Sequence, residues 1–337
     1  MARRKSELSF MNLVMCVLVI FIHIASWTIN DMDRSSVKYL ALMLPWRLSA
    51  FVVQGFLFLS GVKLFASKKP FSYPTFIKGR ILKVYLPYLL WIGIYYAYFI
   101  GIGWYKFSFK SLAEYIALGT LCSHFYYVVI AMQFYLLIPL FKWLLERVNG
   151  FVLCILSVAI TACVKAFVHF KYDDRVFFAY LCYFVIGALV GKNYEKFCAA
   201  LKKYAAFVLG TAAVLGVFDG YFSYRIFVKG AYYKYFEVLH LFYCIAAISA
   251  LFLIGHFLFE KRELPAILSL ADRSTLYIYL SHILFIYIAN DYLYRYGVND
   301  MFTKFLLRGV FTYVCTFTGC LCYTFVKEKL YAKFRKN

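Results

Sequence analysis

Long apolar runs alternate with short polar segments along the whole chain, and most runs are close to the length that crosses a bilayer. A hydrocarbon core of about 30 Å needs about 20 apolar residues in a helix that rises 1.5 Å per residue. On that rule about ten segments qualify: 8–30, 46–66, 84–103, 124–145, 151–169, 176–191, 205–223, 236–259, 274–290 and 305–326. The sixth and ninth are short, so their ends are open. The segment "WYKFSFKSLAEYIALGTLCS" (104–123) is too polar to span and reads as a loop with an interfacial helix. The pattern predicts an all-α integral membrane protein, a bundle of about ten transmembrane helices forming a single domain over 1–337.

Composition strengthens this reading. Of the 337 residues, 64% are hydrophobic and 16% charged, against about 45–50% and about 25% in soluble domains. The formal net charge of +21 raises nucleic acid as a partner, since basic patches neutralise phosphates. Placement argues against it. The cations sit at the ends of apolar runs, as in "MARRKSEL", "ASKKP", "GKNYEKF", "EKRE" and "KEKLYAKFRKN", where topology and anionic lipid headgroups account for them. An even number of spans with both termini cytoplasmic puts the larger share of Lys and Arg inside. The first run lacks a small-residue cleavage site and is too long for a signal peptide, so it reads as a retained helix. Most of the ten cysteines lie inside apolar runs and read as small packed hydrophobes.

Ionisable residues inside spans are costly, so each is a candidate for function. His23, in "MCVLVIFIHIASW", lies about two-thirds of the way along the first span. Burial favours its neutral imidazole, with one nitrogen to accept a proton and one to donate. That is the equipment of a general base, although a histidine bonded to a neighbouring helix fits equally well. Lys78, Arg80 and Lys83 stand at the mouth of the third span. Arg80 and Lys83, three apart, are expected to share a helix face, where they could hold a phosphorylated ligand; ordinary snorkelling is the competing account. His124 starts the fourth span, and His282 lies about two turns into the ninth. No histidine pair has a metal-ligand spacing, so no metal is expected. Asp219 and Glu237 are expected near the outer helix ends, where water reaches. Gln54 and Gln133 are expected to bond between helices.

Six stretches in order carry a resemblance: "VIFIHIAS", "GFLFLSG", "KGRILKVYLPYLLW", "HFYYVVIAMQFYLLIPL", "CYFVIGALVG" and "STLYIYLSH". Together they resemble the membrane-bound acyltransferase-3 family of bacteria, over nearly the whole chain. The resemblance implies transfer of an acyl group, commonly acetyl or succinyl, from cytosolic acyl-CoA to a hydroxyl of a surface carbohydrate. It also implies a place in the bacterial cytoplasmic membrane. His23 falls on the family's essential histidine. Arg80 falls on the first arginine of the third-helix pair, and Lys83 stands where the second would be. Lysine keeps the charge and loses the planar fork.

One departure stands out. Many members of the family carry an arginine eleven residues before the histidine, and here that position is Asn12. Eleven residues are almost three turns, so the two side chains share a face about 16 Å apart. The expected mechanism places acyl-CoA, acetyl-CoA first among donors, with its phosphates near Arg80, Lys83 and Lys78. His23 acts as the base, and His124 and His282 are secondary candidates for orienting or binding. The rival expectation is a glycan translocase or transport-associated protein built on the same bundle without acyl transfer.

Overall fold

The computed structural model describes residues 5–67 and 70–334. The basic residues expected to mark topology at positions 1–4, 68–69 and 335–336 lie outside them. In chain order the helices begin with α1 (Ser6–Ile29), α2 (Val37–Leu48), α3 (Val52–Phe65), α4 (Tyr73–Arg80) and α5 (Leu86–Gly101). They continue with α6 (Phe109–Leu118), α7 (Tyr126–Leu136), α8 (Ile138–Arg147), α9 (Gly150–Phe167) and α10 (Leu181–Lys192). Last come α11 (Tyr194–Lys203), α12 (Ala205–Phe227), α13 (Phe236–Phe259), α14 (Ala266–Arg295) and α15 (Met301–Phe334). There is no strand among the described residues.

Among the described residues, eight helical segments are long and apolar enough to cross a membrane, and two bent pairs bring the number up to ten. The bent pairs are the fourth and sixth predicted spans. Pro139 stands at the start of α8, and α7 and α8 meet at 56°; proline has no N–H to continue the ladder. The short sixth segment ends in a 102° turn before α11. Other bounds move outward. The second span opens at Val37 rather than 46, the ninth runs over Ala266–Arg295 and the tenth over Met301–Phe334. The polar stretch after α5 folds as predicted into a short helix, α6, closed by Gly119 at φ +65°. Large apolar side chains such as Phe207, Val214 and Val217 of α12 are exposed, as expected where lipid is the solvent.

The chain packs as two compact units. In the first, which runs up to Val52 and resumes at Ala200, α1 packs against α2, α13, α14 and α15, and α12 packs against α2 and α13. At Gly255 of α13 an added methyl would stand 3.2 Å from the Glu7 carbonyl oxygen of α1, a close approach that only a small residue permits.

The second unit, Val53–Ala199, is built on such approaches. Gly187 and Gly191 lie one turn apart on α10 and face α3. A methyl on Gly187 would overlap the Phe58 carbonyl, and one on Gly191 would stand 2.6 Å from the Val62 carbonyl oxygen. In return, a methyl on Gly61 would stand 2.8 Å from the Ala188 nitrogen. The glycines of "FLFLSG" and "CYFVIG" are therefore a helix-packing device. The third span carries one turn of π-helix, Ile81–Tyr85, just before Pro87. A π-turn adds a residue to the winding and takes up the hydrogen bond that Pro87 cannot make.

Candidate functional site

Polar side chains gather in the interior of the first unit and along a cleft of the second. In the first unit, His23 of α1 and His282 of α14 face each other with ring centroids 5.2 Å apart. His23 is partly exposed, whereas His282 is fully buried. His282 Nδ1 stands 2.7 Å from the Tyr279 carbonyl oxygen and 3.2 Å from that of Ile278. Carbonyls only accept, so Nδ1 carries the hydrogen, and a neutral His282 keeps its lone pair on Nε2. A histidine held in one tautomer thus lies against a partly exposed one. This pair joins positions 259 residues apart in sequence.

On the same unit, the Asn12 Nδ2 donates to Asp272 Oδ1 at 2.7 Å and to Thr275 Oγ1 at 2.9 Å. Ser9 donates to the other Asp272 oxygen at 2.7 Å. Asn12 is therefore committed to a buried carboxylate of α14. Asp272 escapes a hydropathy reading because it precedes the predicted ninth span, but α14 starts earlier and carries it into the packed interior.

A further buried network links α2, α12 and α13. Asp219 is fully buried and corrects the expectation that water reaches it. Its Oδ1 lies 2.8 Å from His240 Nδ1 and its Oδ2 lies 3.4 Å from Arg47 Nε. His240 Nε2 in turn lies 3.3 Å from Cys244 Sγ, so Cys244 is bonded and not merely a packed hydrophobe. Glu237, as expected, is exposed, and it lies 3.4 Å from Arg47. All ten cysteines are free thiols. Among the described residues no group of three or more His, Cys, Asp or Glu is arranged to hold a metal ion.

The second unit holds a cleft of about 400 Å³. Three cations line it, Lys63, Arg80 and Lys142, together with the hydroxyls of Ser67, Ser72 and Thr75. The Arg80 guanidinium lies over both Phe76 and Tyr135, 4.9 Å from each ring centroid. Stacking on two rings fixes the plane of the fork, and no carboxylate lies within ion-pair distance of it among the described residues. Lys142 is held over Phe71 at 4.0 Å. Lys78 and Lys83 are both exposed and do not line this cleft. The π-turn changes the winding between Arg80 and Lys83, so α-helical spacing does not apply there. Lys63 and Lys142 come instead from α3 and α8, which no local spacing could reveal.

His124 is buried in this second unit against Tyr95 and Phe125, at centroid distances of 5.8 and 4.2 Å, and does not line the cleft. Gln133 bonds at both ends to the backbone of the segment after α9, donating to the Arg175 carbonyl at 2.7 Å and accepting from Phe177 N at 3.0 Å.

Sequence reasoning also passed over Arg308, which lies 3% exposed inside the first unit. Its signal was present: Arg308, Thr312, Thr316, Cys320 and Thr324 recur every four residues and are the buried residues of α15. Such a line marks one helix face.

The model of a family described as an acyltransferase domain matches residues 7–325. Proteins named "Probable poly-beta-1,6-N-acetyl-D-glucosamine export protein" from Staphylococcus aureus strains MSSA476, MW2 and N315 are 22% identical over 302 residues. The match covers 84% of this chain and 82% of each relative. No solved structure matches.

Proposed function

This chain belongs to the acyltransferase-3 family, and from that premise we propose that it moves an acyl group from a cytosolic acyl-CoA to a hydroxyl of a cell-surface carbohydrate. Acetyl-CoA is the first donor to test. The observation that carries the reading is the partly exposed His23 set against a buried His282 of fixed tautomer. In the proposed reaction the His23 imidazole takes the proton of the acceptor hydroxyl as its oxygen attacks the thioester carbon. The C–S bond breaks, the ester forms, and the proton passes from His23 to the departing CoA sulfur. A positioned base of this kind contributes about 10²–10⁴-fold, and orientation of the reactants contributes the rest. His282 is the positioning residue that holds the His23 ring.

The phosphates of the donor are assigned to the cleft of the second unit. A fixed guanidinium, two ammonium groups and three hydroxyls suit a multiply charged phosphate ligand. Lys78 and Lys83, exposed nearby on the same segment, contribute to attraction at longer range rather than to contact. The reading places the protein in the cytoplasmic membrane of a bacterium, with both termini on the cytoplasmic side.

A second reading, glycan export without acyl transfer, is favoured by the names of the relatives and by Asn12 in place of the arginine the resemblance implies. Titration of the detergent-purified protein with acetyl-CoA separates the two. Saturable binding, weakened about tenfold or more in Arg80→Ala and Lys142→Ala, supports the donor site. Ester formation on envelope glycan that is lost in folded His23→Ala supports the base. Folded protein that binds neither acetyl-CoA nor longer acyl-CoAs turns the assignment to export.

A further inference from the structure

Arg308 is a full charge that is buried with no carboxylate in contact among the described residues. It lies about two turns into α15, yet its side chain turns inward and is 3% exposed, so it does not reach for water as end-of-span arginines do. Its contacts are neutral. Nη1 donates to Thr28 Oγ1 at 3.2 Å, Nη2 donates to Asn290 Oδ1 at 2.8 Å, and the guanidinium lies 5.7 Å from the Trp27 ring centroid. Nε has no hydrogen-bond partner. No carboxylate lies within 4 Å of it among the described residues, and Asp31, exposed in the loop after α1, acts on it only at longer range.

Guanidinium stays charged at any working pH. A buried charge is strongly unfavourable unless it is paired, and unpaired donors are unfavourable in their own right. A purely structural arginine here would be an expense without return, because leucine would pack the same space. Thr28 and Asn290 accept from two of the five N–H groups and hold the fork in place, leaving three for a ligand: Nε–H and one on each Nη. We infer that Arg308, held by Thr28 and Asn290 beside Trp27, is an anion-binding site for a phosphate or carboxylate group.

The site has a defined relation to the histidine pair. Thr28 lies five residues beyond His23 on α1, a rise of about 7.5 Å, and Trp27 lies one turn beyond it on nearly the same face. Trp27 packs on Tyr287 at 5.2 Å, as His23 packs on His282. An acceptor whose anionic group sits at Arg308 would therefore present a hydroxyl one turn away, at His23; this last step alone rests on the acyl-transfer reading. The anion could come from the sugar, as a uronic acid, or from a lipid carrier, as a polyprenyl phosphate.

Trp27 supplies the readout. Detergent-purified protein is titrated with inorganic phosphate, with a glucuronate disaccharide, and with polyprenyl phosphate in mixed micelles, following tryptophan fluorescence. The expected result is a saturable change with at least one probe that is absent in Trp27→Phe and at least tenfold weaker in Arg308→Gln. Response to the disaccharide alone names the sugar as source, and response to the polyprenyl phosphate alone names the carrier. Because Arg308→Gln could fail to fold, Asn290→Asp is the second variant: it places a carboxylate 2.8 Å from the guanidinium with almost no change of shape. It is expected to abolish the response while raising the melting temperature. A folded wild type that responds to none of the three probes overturns the inference, as does a response that survives Asn290→Asp unchanged. The acetyl-CoA titration with Arg80→Ala is read separately, so failure of the donor reading leaves the result at Arg308 standing.

Discussion

Replacing Gly187 by alanine adds one methyl where α10 meets α3 backbone to backbone. That methyl would overlap the Phe58 carbonyl oxygen and stand 2.9 Å from its carbon. Carbon atoms pack best at about 3.5–4.0 Å, so the two helices must part by at least about 0.6 Å. The obstacle is backbone, which cannot rotate aside like a side chain. A gap of about 0.5–1 Å forfeits a quarter to a half of each contact along the seam, and overpacking of this kind costs about 1–3 kcal/mol. With lipid as solvent no hydrophobic term refills the loss, because packing is what holds transmembrane helices together. The expected effect is about 2–3 kcal/mol, or a fall of about 5–10 °C in apparent melting temperature. The assay is thermal unfolding in detergent, with Gly210→Ala as control. Gly210 lies within α12, and a methyl there meets nothing within 4 Å, so that variant gains helix propensity of up to about 1 kcal/mol. If Gly187→Ala melts no lower than Gly210→Ala, the close-approach account of both glycine motifs is wrong.

Two other outcomes follow from buried and capping charges. Asp219→Asn keeps the shape but leaves Arg47 facing only the exposed Glu237, at an expected cost of about 3 kcal/mol, whereas Glu237→Gln should cost less than about 1 kcal/mol; equal melting temperatures for the two variants would contradict the network. Asp300 accepts from the Thr303 amide at 2.7 Å at the start of α15, and that bond holds its carboxyl below the usual carboxylate range. Its contribution is therefore full above the ordinary carboxylate pKa of about 3.9 and is lost as pH falls through the depressed value. The melting difference between wild type and Asp300→Ala should be constant near neutrality and close in acid, and a difference that grows on acidification would reverse the assignment.

Hydropathy alone determined that the chain is all-α and crosses the membrane about ten times, because a bilayer admits only runs of a fixed length whose backbone bonds close internally. It also marked His23, a lone ionisable residue inside an apolar run, and the cations Lys78, Arg80 and Lys83 at the mouth of the third span. What it could not do was choose partners. The facing of His23 by His282, the capture of Asn12 by Asp272 and the trio of Lys63, Arg80 and Lys142 each join separate helices. In lipid the outer face of a helix is as apolar as its packed face, so periodicity does not report which side meets which neighbour. Asp219 shows the same limit: its position along the chain suggested water, and the packing of α2 and α13 around it removed that water. Arg308 lay in view as the first member of a four-residue polar repeat. Only the tertiary structure revealed that its charge turns inward, toward Thr28 and Asn290, and meets no acid among the described residues.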